Sequence, residues 1–299
     1  MESDYRLVTA TGTIAGTLYA VSAAKAPVAL IIAGSGPTDR DCNSPGFGMQ
    51  TDAYKLLAAE LARRGVASLR YDKRGVGESA AAASSEQSLR FDSYADDAAA
   101  WIDKLRADGR FTKIVVAGHS EGSLIGMLAA QRAPANAFVS LEGAGRPIAV
   151  ILREQLKPKL TPELYAKADA VITALQDDKT VADVPDDLGV LFRPSVQPYL
   201  ISWLKYDPAA EIAKLRVPIA IVQGTADVQT TLVDARALHA AAPSSKLVVV
   251  EGMNHVLKHA PDVSSQVAVL KGYADPSLPV DSQVTDAIVA ATLAPGSAV

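Results

Sequence analysis

The sequence predicts an α/β protein with a mostly parallel sheet covered by helices on both faces. Two observations carry this. Apolar runs that end in Gly or a turn residue alternate with amphipathic stretches of helical period. The runs are also apolar throughout, which suits strands buried on both sides. The 299 residues are 49% hydrophobic and 21% charged, enough to bury a large core.

Taken in order, RLVTATGTIAGTLYA alternates and is rich in Thr, as two half-exposed antiparallel strands around a Gly turn would be. APVALIIAG follows as a buried strand. MQTDAYKLLAAELARRG has helical period and stops at Gly65. VASLRYD is a strand, SYADDAAAWIDKLRADG a helix closed by Gly109, and FTKIVVAG a strand. SEGSLIGMLAAQRAP reads as a helix halted before Pro134, and NAFVSLEGAG as a strand. RVPIAIVQG, TLVDARALHAAAP and SKLVVVEG then read as strand, helix and strand, making eight strands in all.

The rhythm breaks between Gly145 and Tyr206, where Pro147, Pro158, Pro162, Pro185, Pro194 and Pro198 punctuate short helices such as TPELYAKADAVITALQDD. We read residues 146–206 as a helical lid inserted into a core made of 1–145 and 207–299. Its position places it over the edge of the sheet where open α/β folds put ligands.

Net charge is −4 and the pI about 5.6, so there is no basic stripe for nucleic acid and no polybasic membrane anchor. One cysteine, Cys42, rules out a disulfide within the chain and a cysteine-based zinc knuckle. No apolar run reaches the length of a membrane span. MESDYRLV lacks a basic segment followed by an apolar core. The expected location is cytoplasmic, or periplasmic or secreted if a leader preceded the chain.

GHSEG, Gly118 to Gly122, is a G-x-S-x-G pattern between a β-branched strand and a helix. A serine on so sharp a turn needs neighbours without Cβ atoms. Ser120 is therefore the candidate nucleophile, and it needs a base. The other histidines fit less well than His255. His119 adjoins the serine but projects away, His239 sits inside a helix, and His259 shares the His255 loop. His255 follows the last strand and Asp227 the one before it, both at the sheet edge that carries Ser120. His255 would take the serine proton and Asp227 would orient the imidazole. Oxyanion donors are expected from the backbone N–H groups of Glu121 and of Ser35 in IIAGSGPTDRDCN, with Gly36 the near alternative to Ser35. The Glu121 side chain then serves the scaffold, pairing with Arg40 or Arg74. In RYDKRGVGES, Asp72 and Arg74 are expected to fix the loop by ion pairing. No P-loop, H-E-x-x-H or EF-hand pattern is present, so no metal or cofactor is expected.

AGSGPTDRD, YDKRGVGES, GHSEG, YDPAAEIAKLRVPIAIVQGTADVQT and GMNH together resemble the α/β-hydrolase superfamily, most closely its bacterial esterase and serine aminopeptidase-like (S33-type) branch. The resemblance runs from about Thr13 to about Leu257, apart from the lid. It implies an α/β-hydrolase fold, a Ser120–His255–Asp227 triad and Ser35 and Glu121 amides at the oxyanion. Cys42 departs from it, standing where glycine is expected.

The expected function is hydrolysis of small to medium carboxylic esters through an acyl-enzyme. Trp203 and Tyr206 are candidates to line the substrate pocket. One alternative is an aminopeptidase, whose substrate ammonium would be held by a lid carboxylate such as Glu154, Glu163, Asp177, Asp178, Asp186 or Asp187. The other is a non-catalytic binding protein on the same scaffold.

Overall fold

A computed structural model describes residues 1–294; the last five residues of the core segment drawn to 299 lie outside the described residues. Eight strands form one sheet: β1 (Glu2–Thr9), β2 (Gly12–Tyr19), β3 (Ala26–Ile32), β4 (Ala67–Tyr71), β5 (Phe111–His119), β6 (Ala137–Leu141), β7 (Ile219–Gly224) and β8 (Lys246–Val250). Their spatial order is β1-β2-β4-β3-β5-β6-β7-β8. The β1–β2 and β2–β4 pairings are antiparallel and the rest parallel. This is the α/β-hydrolase architecture. The parallel pairings place the C-terminal ends of β3 to β8 on one edge.

Alternation along each strand divides the core. Val28, Leu30 and Ile32 join one apolar cluster, while Ala29, Ile31 and Ala33 join the other. Burying such a side chain contributes about 1.5–3 kcal/mol, so register is strongly held. The first cluster is closed by α2 (Phe91–Ala107) and α3 (Glu121–Arg132), the second by α1 (Ala53–Arg63).

Between β6 and β7 run α4 (Ile148–Leu156), α5 (Pro162–Gln176), α6 (Gly189–Phe192), α7 (Gln197–Leu204) and α8 (Pro208–Ile212). Ala168, Ile172, Leu175, Phe192 and Leu200 from these helices are buried in the same cluster as α2. The α5 start follows from its sequence: Thr161 caps Leu164 N–H, and Pro162 occupies the first turn.

The chain continues through α9 (Leu232–Ala241), α10 (Gln266–Tyr273) and α11 (Ser282–Leu293). α11 completes the second face, with Val284, Ala287 and Ile288 packed beside Leu57 and Leu61. The sequence reading stops at β8 and omits α10 and α11. Among the described residues, no helix is long and apolar enough to cross a membrane.

Candidate active site

Ser120 sits between β5 and α3 with φ 55° and ψ −121°, a strained conformation for a residue with a side chain. The glycines around it answer to sterics. A Cβ on Gly118 would collide with the Gly122 carbonyl, and one on Gly122 with the Ile32 carbonyl. The turn is pinned to the sheet by the Ser120 N–H, which donates to Leu141 O at 2.9 Å.

His255 Nδ1 lies 2.7 Å from Asp227 Oδ2, and both residues are buried. Asp227 Oδ1 accepts from the Gln229 N–H (2.7 Å) and the Thr230 N–H (3.2 Å), and Oδ2 from Thr230 Oγ1 (2.9 Å). Burial alone would raise this carboxyl's pKa. The His255 charge, the His255 hydrogen bond and the other donors outweigh it and hold the pKa well below the usual carboxylate range. Ser120 and His255 line one cavity of about 100 Å³. Among the described residues no hydrogen bond joins Ser120 Oγ to His255 Nε2. Such contacts commonly close only when substrate is bound.

Beside Asp227 lies a carboxyl that the sequence reading passed over. Glu142 follows β6 with φ 48° and is fully buried. It accepts from the Gly224 N–H at 2.8 Å and from Gln223 Nε2. Burial, then the neighbouring Asp227 charge, pushes its pKa well above normal, so of the two carboxyls Glu142 is the one that favours its protonated form. Its place at the C-terminal end of a parallel strand was the available signal.

His119, expected to project away from the serine, lines the same cavity as Ser120 and His255, but both its ring nitrogens are committed to other partners. Its Nε2 is 2.6 Å from His255 O and its Nδ1 2.6 Å from Tyr54 Oη. A carbonyl only accepts, so Nε2 carries the proton and Nδ1 accepts from the tyrosine. Burial, then the His255 charge, lowers the His119 pKa to about 3. It is a neutral brace between the elbow and the His255 loop. His239 bonds Ser245 Oγ at 2.8 Å on α9, away from this group. His259 forms an isolated bridge with Met253.

Gly34 approaches the elbow so closely that a Cβ there would stand 3.2 Å from Ser120 Cβ. That places the Ser35 amide beside the serine. Glu121 is buried, but its partner corrects the sequence reading. Lys73 Nζ, not Arg40 or Arg74, meets Glu121 Oε2, at 2.5 Å. Tyr199 Oη of α7 donates to the other carboxylate oxygen. Both arginines are engaged elsewhere: Arg40 pairs with Asp72 (2.7 Å) and Arg74 with Asp97 (2.6 Å). The expected Asp72–Arg74 pairing is therefore replaced by two separate pairs. Lys73, between Asp72 and Arg74 in the chain, is fully buried.

Trp203 and Tyr206 are not brought to the site. Trp203 stacks on Phe91 at 5.5 Å, and Tyr206 Oη donates to Asp92 Oδ1 at 2.6 Å. No residue of 146–206 lines the cavity beside Ser120. Its rim comes instead from Thr38, Ser44, Met49, Gln229, Val256 and Tyr273. Cys42 also lines it, with φ 75°. That left-handed conformation is one glycine adopts without strain, which fits the glycine that the resemblance implies there. Burial raises the Cys42 pKa to about 11. A wider hollow of about 600 Å³ near Tyr19 and Arg63 shares no lining residue with the site. Among the described residues no group of His, Cys, Asp and Glu is arranged to hold a metal ion.

A sequence model described as serine aminopeptidase, S33, matches residues 42–262. Esterase EstD of Thermotoga maritima is 25% identical over 254 residues, covering 83% of this chain; the chain matches 59% of that protein's length. Est1E from Butyrivibrio proteoclasticus superposes with a TM-score of 0.61 at 16% identity, over 97% of this chain and 99% of its own. A thermophilic esterase from Thermogutta terrifontis, solved with malate bound, gives 0.54 at 18% identity, over 85% and 92%. These structural likenesses speak to the fold. The chain belongs to the serine aminopeptidase S33 family of α/β hydrolases.

Proposed function

We propose that this chain hydrolyses small carboxylic esters through an acyl-enzyme, with Ser120 as nucleophile, His255 as base and Asp227 as orienting acid. The observation that carries the reading is the 2.7 Å His255–Asp227 contact beside a serine held at φ 55°, with His255 and Ser120 on one cavity. His255 Nδ1–H is fixed on the ionised Asp227, which leaves Nε2 to accept the Ser120 proton as Oγ adds to the carbonyl carbon. The Ser35 and Glu121 N–H groups hold the oxyanion. Collapse breaks the C–O bond, and the alcohol leaves with the proton from His255. Water then adds to the acyl carbon with His255 again as base, releasing the acid and restoring Ser120.

A cavity of about 100 Å³ favours short acyl groups. The family model's description raises a peptidase as second reading. An aminopeptidase must hold a substrate ammonium, yet no carboxylate lines the cavity. Glu154 is paired with Arg146 (2.6 Å), Asp177 with Lys179 (3.4 Å) and Asp178 with Lys205 (3.1 Å). Glu163, Asp186 and Asp187 are exposed. This favours the ester.

Nitrophenyl esters of increasing acyl length test the reading, with aminoacyl anilides in parallel. We expect turnover that peaks at short acyl chains, loss of turnover in Ser120→Ala, and fluorophosphonate labelling that Ser120→Ala removes. Wild-type protein inert to every ester and to the probe would sink it. Anilide turnover above ester turnover would favour the peptidase.

A further inference from the structure

Lys73 has no place in the mechanism above, yet it is one of the largest fully buried side chains. Its ammonium has three neighbours. It donates to Gly34 O at 2.6 Å and to Glu121 Oε2 at 2.5 Å, and it sits 5.0 Å from the centre of the Tyr94 ring. A buried ammonium is expensive to desolvate, and a neutral side chain could fill the same space at lower cost.

What the cation touches explains its presence. Gly34 O belongs to the same peptide unit as the Ser35 N–H. In a trans peptide the C=O and N–H point in opposite directions, so a cation that fixes the carbonyl also aims the amide away from itself. Its field draws electron density toward the oxygen and makes the N–H a stronger donor. The Ser35 N–H has no acceptor among the described residues. The preceding peptide is held as well, since the Gly34 N–H donates to Tyr54 Oη at 3.1 Å, so Gly34 is fixed on both sides. The second partner, Glu121, supplies the other proposed oxyanion amide. One ammonium thus joins both donor-bearing segments, and Tyr199 closes the network from α7.

We propose that Lys73 is a positioning residue of the oxyanion site: it orients and polarises the Gly34–Ser35 peptide and sets its spacing from Glu121. This rests on the hydrolase reading. It differs from a merely structural ion pair because its loss weakens binding of the tetrahedral oxyanion more than binding of the ester.

The test uses the full chain carrying Lys73→Met with Glu121→Gln, which removes both charges and leaves neither buried unpaired. Folding is checked by circular dichroism. We expect kcat for a short nitrophenyl ester to fall about 10- to 100-fold, below the 10²–10³ of deleting a donor outright, with KM within about threefold of wild type. Affinity for an alkyl trifluoromethyl ketone, which forms a hemiketal oxyanion on the serine, falls by the same factor as kcat/KM. A folded double variant with kcat and ketone affinity within about twofold of wild type overturns the proposal. If the double variant does not fold, Lys73→Arg keeps the charge but moves it. Lowered kcat at unchanged KM then supports the proposal, and wild-type kcat overturns it. Wild-type protein that turns over no ester brings down the hydrolase reading and this proposal with it. Active wild type with unaffected variants brings down this proposal alone.

Discussion

His119 Nε2 donates a 2.6 Å hydrogen bond to the backbone carbonyl of His255, joining the neighbour of the candidate nucleophile to the candidate base although 136 positions separate them. The contact makes the base's loop depend on the elbow. His119→Ala should cost about 2–4 kcal/mol, from the cavity and from the Tyr54 hydroxyl and His255 carbonyl left without this partner. It should also lower kcat for a short ester by about tenfold through loss of His255 placement. The pH dependence has a definite sign. The unfolded chain protonates His119 below its ordinary 6.5, while burial keeps the folded form neutral down to about 3. Stability should fall as pH drops through that window, and His119→Ala should flatten the slope in denaturant melts at pH 7, 5.5 and 4.

Glu142 has the opposite signature. Its folded pKa lies well above the ordinary 4.5, so above pH 4.5 the unfolded chain releases a proton that the folded one retains. Stability from this group is full below pH 4.5 and is lost as pH rises toward the folded value. Glu142→Gln removes that loss and keeps an N–H to offer Asp227. We expect the variant's melting temperature to gain on wild type between pH 5 and pH 9. Parallel profiles would show that Glu142 titrates normally.

Gly118→Ala tests the elbow's sterics. The added Cβ would strike the Gly122 carbonyl, a backbone atom that cannot swing aside. We expect a loss of about 1–3 kcal/mol from overpacking and little labelling by a fluorophosphonate, with circular dichroism retained. Gly36→Ala, where no atom lies within 4 Å but φ is 72°, should cost only the backbone strain.

Trp203→Ala separates packing from recognition. The indole stacks on Phe91 at 5.5 Å and 8°. Removing it from this half-buried position should destabilise the protein by about 1–3 kcal/mol. The ratio of kcat/KM between acetyl and butyryl esters should not move. A changed ratio would place Trp203 at the substrate after all.

Sequence alone resolved what depends on local pattern. β3 to β8 were visible because buried parallel strands are apolar throughout, β1 and β2 because they alternate, and the elbow because sterics demand Gly118 and Gly122 around Ser120. The His255–Asp227 pairing was legible because both residues end adjacent parallel strands. The partner of Glu121 was not, since a loop's inward residue is fixed by packing: Lys73 could be told from Arg74 only once Asp97 was seen to claim the arginine. Tyr54 and Tyr199 were hidden for a related reason. Each lies on a helix face where an aromatic reads as core, and their hydroxyls meet partners brought close only by the tertiary fold. α10 and α11 follow the segment where the motifs cease.

The buried thiol at the cavity rim has a practical consequence. Cys42 is the sole cysteine, and burial raises its pKa to about 11, so in the closed protein it is both shielded and almost wholly unionised at neutral pH. A thiol reagent should therefore react slowly at Cys42, at a rate that reports how readily the cavity admits it and the protein opens around the thiol. The chain carries its own single-site clock for breathing at the mouth of the cavity, read by mass spectrometry without adding a label.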